Sequence, residues 1–118
     1  MNPLFKINED IYNFTDVIIY GSGKAGVGIL YKLFQRNIKV LCFVDSNPDN
    51  ISGKIFNVPV KHIDELADKY ETAAFIIGGR YMQEISSSLI KKGIKHLFFD
   101  YANEMTGVLH LGGEDYSI

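Results

Sequence analysis

The sequence is poor in residues that would mark several classes of protein. It has one cysteine, Cys42, no tryptophan and three prolines in 118 residues. A single cysteine excludes an internal disulfide framework and suits a reducing compartment. Basic residues are not in excess: 12 Lys plus Arg stand against 14 Asp plus Glu, for a net charge of −2, and no basic block occurs. Nucleic acid and anionic membrane surfaces select a basic face, so both are disfavoured as partners. No apolar run approaches the roughly 18 residues of a membrane span, so no direct membrane insertion is expected. The opening MNPLFKINED lacks the basic-then-apolar order of a signal peptide. His62, His96 and His110 lie apart without ligand spacing, so no metal site is expected. The default expectation is one cytoplasmic domain.

What the chain does have is concentrated between Val17 and Asp45 (VIIYGSGKAGVGILYKLFQRNIKVLCFVD). An apolar run, Val17 to Tyr20, enters a Gly-x-Gly-x-x-Gly turn at Gly21, Gly23 and Gly26. A helical pattern follows, and then a second apolar run ends on Asp45. This is the layout of a dinucleotide-binding fingerprint. Gly21 permits the tight turn, Gly23 lets backbone approach a pyrophosphate, and Gly26 permits close helix–strand packing. Free N–H groups and the positive end of the helix dipole favour an anion there, with Ser22, Lys24 and Ala25 completing the loop. Asp45 follows Gly26 by 19 positions, the spacing of a ribose-binding acid that disfavours a 2′-phosphate.

Along the rest of the chain, strands and helices alternate. Leu4, Ile7, Ile11 and Phe14 have the spacing of a short amphipathic helix. Val27, Leu30, Tyr31 and Phe34, with Leu33 beside them, predict the buried face of the first long helix, which Asn37 caps. The second strand spans Ile38 to Val44, with Cys42 as a buried, inert thiol. A polar turn (SNPDNISG) precedes a short strand over Phe56 to Val60, where Pro59 predicts an edge. Ile63, Leu66, Ala67 and Tyr70 predict a second helix. A strand at Ala73 to Ile77 ends in Gly78-Gly79-Arg80, and Arg80 is placed to face a phosphate across the crevice. A helix over Tyr81 to Lys92, stopped by Gly93, leads to a last strand at Ile94 to Phe99. The expected fold is α/β: a Rossmann-like three-layer α/β/α domain over residues 1–100. Its mostly parallel sheet has about five strands in the order 3-2-1-4-5. Residues 101–118 form a tail, with Val108 to Leu111 as an extra strand or the start of a linker, where oligomerisation or a downstream catalytic domain would attach.

Rival chemistries fail outright or are disfavoured at particular positions: the P-loop fails, and the methyl-donor loop is disfavoured. A P-loop needs glycine where Ile18 stands and Ser or Thr where Ala25 stands. A methyl-donor loop usually has an acid at the position of Ile19. No Tyr-x-x-x-Lys pair accompanies Tyr20, Tyr31 or Tyr81, and Ser86 to Ser88 sit in mid-helix without a nucleophile elbow. No catalytic residue is identifiable. A complete dehydrogenase also needs a second mononucleotide-binding half, so catalysis would require another chain, another subunit or further sequence.

VIIYGSGKAG, FVDSNPDNISGKIFNVPV, IDEL and FIIGG together resemble a Rossmann-type domain of bacterial polysaccharide-biosynthesis proteins. That domain stands at the front of nucleotide-sugar 4,6-dehydratases, sugar-phosphate transferases and sugar acetyltransferases. The likeness spans Val17 to Phe99. It implies a site at Gly21, Gly23, Gly26 and Asp45, with Ser46 where the family pattern has a second acid. Lys24 and Ala25 depart from the acetyltransferase version, which carries His in its loop. The resemblance implies a bound NAD or nucleotide-sugar, held by a domain that does not catalyse alone. Two alternatives stand beside it: an interaction or dimerisation module with a decayed site, and the cofactor half of a nucleotide-sugar dehydrogenase or dehydratase.

Overall fold

The computed structural model describes residues 9–47, 53–78, 81–100 and 108–112. The described residues open with a 3-10 turn, Glu9–Asn13, followed by β1 (Val17–Tyr20), α1 (Lys24–Gln35) and β2 (Cys42–Asp45). A tight hairpin joins β3 (Lys54–Ile55) to β4 (Val58–His62), and a 3-10 segment over Ile63–Lys69 leads to β5 (Ala74–Gly78). Then come α2 (Met82–Lys92), β6 (His96–Asp100) and β7 (Val108–Gly112).

The sheet order is β3-β4-β2-β1-β5-β6-β7. The five central strands are mutually parallel, while β3 and β7 add antiparallel edges on β4 and β6. With those two edges set aside, the order is the expected 3-2-1-4-5. The additions change the edges and leave the Rossmann-like class intact. Pro59 therefore does not mark an edge strand, because β3 covers β4, with Pro59 opposite Lys54.

Strand residues alternate between two buried layers. Ile18, Cys42, Val44, Phe75, Ile77, Leu97 and Phe99 face the side covered by Ile63, Leu66 and Leu89. Val17, Ile19, Phe43, Ala74, Ile76 and Phe98 face the side covered by Ile11, Ile29, Leu30 and Leu33. Both faces are thus dry, which is why the strands read as unbroken apolar runs. Leu4 and Ile7 lie outside the described residues. Ile11 is fully buried, and Phe14 packs edge-on against Phe98 and His96.

Three local expectations are corrected. First, α1 is rotated from its predicted face: Gly26, Ile29, Leu30 and Leu33 are buried, whereas Tyr31 and Phe34 are 63% and 77% exposed. Hydropathy does not count glycine as a core residue, yet Gly26 is buried, with its Cα facing the Gly21 carbonyl too closely for a side chain. Second, β2 begins at Cys42, because Ile38 N–H turns back to the Leu33 carbonyl and Leu41 N–H bonds the Val17 carbonyl. Third, the Ile63–Lys69 segment is 3-10, so its buried side chains repeat every three residues (Ile63, Leu66) and Ala67 is exposed. The left-handed positions at Asn37 (φ 60°) and Gly93 (φ 103°) agree with the predicted helix ends.

Candidate functional site

The crevice of an open parallel sheet lies at the carboxyl ends of its strands, where the connections on either side of β1 diverge. Here β1 is flanked by β2 and β5. Gly21 leaves β1 with φ 95°, a conformation that strains any L side chain, and its N–H donates to the Val44 carbonyl at 2.7 Å. Gly26 is required for a different reason. A Cβ there would run into the Gly21 carbonyl oxygen and lie 2.9 Å from its carbon. The first turn of α1 is therefore pressed against the loop.

Gly23 obeys neither constraint. It is the N-cap of α1 with an ordinary φ of −84°, and a Cβ built on it meets nothing within 4 Å. Neither backbone conformation nor packing calls for glycine. What the missing side chain leaves is room directly over the helix N-terminus. That terminus has no side-chain cap and no acidic residue in its first turn. Lys24 and Ala25 are exposed beside it. Uncompensated N–H donors, the helix dipole and a lysine together form a cradle suited to an anion.

Asp45 ends β2 half-buried, next to the loop. Its Oδ2 accepts from the Ser22 hydroxyl at 2.6 Å and from Ser22 N–H at 3.3 Å, and its Oδ1 accepts from Asn47 N–H at 2.9 Å. Ser46, where the family pattern carries a second acid, is exposed. His62 is the register partner of Asp45 on β4. Its ring serves the backbone: Nδ1 accepts from Asp64 N–H at 3.1 Å, while Glu65 accepts from His62 N–H at 3.0 Å, a capping box. Cys42, one strand position into β2, is fully buried, and burial raises its thiol pKa to about 11. It is an inert core residue, as its place in an apolar strand predicts.

On the other side of β1, Gly78 ends β5 in register with Asp100 on β6. A Cβ on Gly78 would meet Ile29 at 3.1 Å and the Asp100 backbone at 3.4 Å, so this glycine seats α1 against the sheet. Gly79 and Arg80 lie outside the described residues. Sequence reading passed over one charged pair here. Lys32, in the last turn of α1, donates from Nζ to both carboxylate oxygens of Asp100 at 2.8 Å, and the Asp100 side chain is only 7% exposed. The only sequence signal was a lysine lodged among the apolar residues of α1. Among the described residues, no cluster of three or more His, Cys, Asp or Glu is placed to hold a metal ion, and no helix is long and apolar enough to cross a membrane.

Comparison with known proteins adds to this geometry. Residues 13–99 match the family model described as "CoA binding domain". Over 96 residues the chain is 34% identical to the redox-sensing transcriptional repressor Rex of Anoxybacillus flavithermus, a match covering 77% of this chain and 46% of the repressor. The chain thus spans about half the length of the curated relatives it matches. Among solved structures, UDP-D-quinovosamine 4-dehydrogenase from Vibrio fischeri superposes with a TM-score of 0.65 at 16% identity, covering 84% of this chain and 94% of that one. RSP, a Rex-family repressor, superposes in its complex with β-NADH at a TM-score of 0.55 and 22% identity (83% and 56% covered). Its complex with β-NAD+ and operator DNA gives 0.55 at 23% identity (78% and 50% covered). At these identities the solved structures speak to the fold.

The comparisons leave one expectation without support and overturn another. The curated relatives are redox-sensing repressors, and no polysaccharide-biosynthesis protein is among them. The exclusion of nucleic acid as a partner is overturned, since such relatives are transcriptional repressors and RSP is seen on operator DNA. That exclusion rested on the charge of one stretch. The stretch matches 46% of the Anoxybacillus repressor, so its charge balance does not speak for contacts made by the remainder.

Proposed function

The chain belongs to the CoA-binding domain family, and from that premise we propose that it binds NAD(H) as the cofactor-sensing module of a redox-responsive regulator. The pyrophosphate lies over Gly23, taking N–H donors from the start of α1, with Lys24 beside it. The adenosine ribose hydroxyls donate to Asp45. Gly78, at the end of β5, lies on the far side of β1, the sequence continues there with Gly79 and the cation Arg80, and Ser46 borders the ribose. The domain binds and does not catalyse alone. A cytoplasmic setting suits both the free thiol of Cys42 and a protein that responds to the NADH/NAD+ balance.

The observation that carries this reading is the open space over Gly23 at an uncapped helix N-terminus, joined through Ser22 to an acid at the end of the neighbouring strand. The Rex relatives support it as the redox-sensing class, and the NADH-bound RSP structure supports the choice of cofactor. A nucleotide-sugar ligand rests on likeness of fold alone.

Isothermal titration with NADH, NAD+, NADPH, coenzyme A and a UDP-sugar tests the proposal. The expected result is binding of NADH and NAD+, with NADPH at least tenfold weaker because a 2′-phosphate meets the Asp45 carboxylate. Preferential binding of coenzyme A or the UDP-sugar refutes it. Silence across the panel at millimolar ligand favours a dimerisation module with a decayed site instead. Light scattering on the same sample reads the oligomeric state.

A further inference from the structure

Three hydrogen bonds in succession fasten the glycine loop to the end of β2. Gly21 N–H reaches the Val44 carbonyl at 2.7 Å, Ser22 N–H reaches Asp45 Oδ2 at 3.3 Å, and the Ser22 hydroxyl reaches the same oxygen at 2.6 Å. The left-handed turn at Gly21 (φ 95°) is what carries Ser22 back toward β2. A serine hydroxyl has one proton, and this one is committed to Asp45. The second carboxylate oxygen takes Asn47 N–H from the following loop at 2.9 Å. Asp45 is therefore held from two sides, and one of its anchors belongs to the loop that forms the anion cradle.

We infer that Ser22 is a positioning residue that sets the selectivity of the site for a dinucleotide with a free 2′-hydroxyl over one with a 2′-phosphate. The inference rests on the NAD(H) reading above and deepens it. A carboxylate at a strand end, tethered by its own χ angles alone, can rotate away from an incoming phosphate. Held through Oδ2 by the Ser22 hydroxyl and N–H and through Oδ1 by Asn47 N–H, Asp45 can rotate only by breaking these bonds, so its charge stays where the 2′-phosphate would lie. The same constraint aligns the acceptor lone pairs for ribose hydroxyls before the ligand arrives, which removes part of the ordering cost of binding. Ser22 acts on the ligand through Asp45, and the cradle and the ribose acid move as one unit.

The experiment is a double-mutant cycle read by titration with NADH and NADPH on wild type, Ser22→Ala, Ser22→Thr, Asp45→Ala and the Ser22→Ala/Asp45→Ala pair. In Ser22→Ala, NADH affinity falls about fivefold and NADPH affinity holds or rises, so the selectivity ratio shrinks by about fivefold or more. Ser22→Thr keeps the hydroxyl and restores the ratio. On the Asp45→Ala background, removing Ser22 changes neither affinity further. A loose loop alone would weaken both dinucleotides equally and leave the ratio in place. An unchanged ratio in Ser22→Ala, or an equal loss on the Asp45→Ala background, overturns the role of Ser22 while NADH binding by wild type still stands. A wild type that binds neither dinucleotide overturns the cofactor reading and this inference with it. Circular dichroism confirms that each variant is folded.

Discussion

Gly23 and Gly26 stand three residues apart in one loop, and the structure separates their jobs sharply enough to test. At Gly26 a methyl group would overlap the Gly21 carbonyl oxygen and come within 2.9 Å of its carbon, with Phe43 at 3.4 Å. The obstacle is backbone held by the Gly21–Val44 hydrogen bond, so it cannot rotate aside as a side chain would. Overpacking of this kind costs about 1–3 kcal/mol, and rigid backbone puts the site at the upper end. Alanine regains about 1 kcal/mol of helix propensity over glycine, leaving a net loss of about 2 kcal/mol for Gly26→Ala. In a domain of this size that lowers Tm by roughly 10 °C. At Gly23 the new methyl touches no protein atom and φ is ordinary, so Gly23→Ala leaves urea stability within about 0.5 kcal/mol of wild type. The methyl does fill the space over the helix N-terminus, and NADH affinity falls at least tenfold. Urea denaturation and NADH titration on both variants read the two quantities. A Gly26→Ala protein as stable as wild type, or a Gly23→Ala protein that binds NADH normally, refutes the assignment.

Three further expectations follow from the packing. Asp100→Asn removes the charge that Lys32 neutralises in a largely buried site, and urea denaturation should show a loss of about 2 kcal/mol, recovered in part by Lys32→Met in the same chain. No loss in the single variant would mean that the pair is idle. The rotated face of α1 predicts that Leu33→Ala costs about 2–4 kcal/mol in the same assay while Phe34→Ala costs less than about 0.5, and a loss at Phe34 as large as that at Leu33 would return Phe34 to the buried face. Stability should also decline at alkaline pH. Burial raises the Cys42 pKa from 9.0 to about 11, the Asp16 hydrogen bond and charge raise that of Lys69 from 10.5, and burial raises that of Tyr70 from 10.0. Each folded-state value lies above the ordinary one. The stability linked to Cys42 is therefore complete below about pH 9 and is lost as pH rises through 9 to about 11, while the contributions of Tyr70 and Lys69 begin to be lost only above their ordinary values of 10.0 and 10.5. Thermal melts that stay flat from pH 8 to 11 would contradict this.

Much of the fold was legible because it depends on which residues are apolar. Runs such as VIIY and AFIIG, apolar at every position, announce strands covered on both faces. Their alternation with helical patterns imposes parallel crossovers and, with them, the central strand order. Glycine spacing located the loop because glycine is the residue that backbone geometry selects. What hydropathy misjudged was α1, whose buried face includes a residue with no side chain, and the charged residue that crosses from that helix. Lys32 reads as one more surface cation until β6 carries Asp100 beneath it.

The amino-acid order thus determined the α/β class, the parallel core and the position of Gly21, Gly23, Gly26 and Asp45, because each follows from local chemistry repeated at fixed spacing. Only the tertiary structure decided which glycine is packed and which stands open, since that depends on atoms brought together from β1, α1 and β2. It alone joined Ser22 to Asp45 across 23 positions and Lys32 to Asp100 across 68. Contacts at such separations carry no periodic signal, and the fold has to form before they exist.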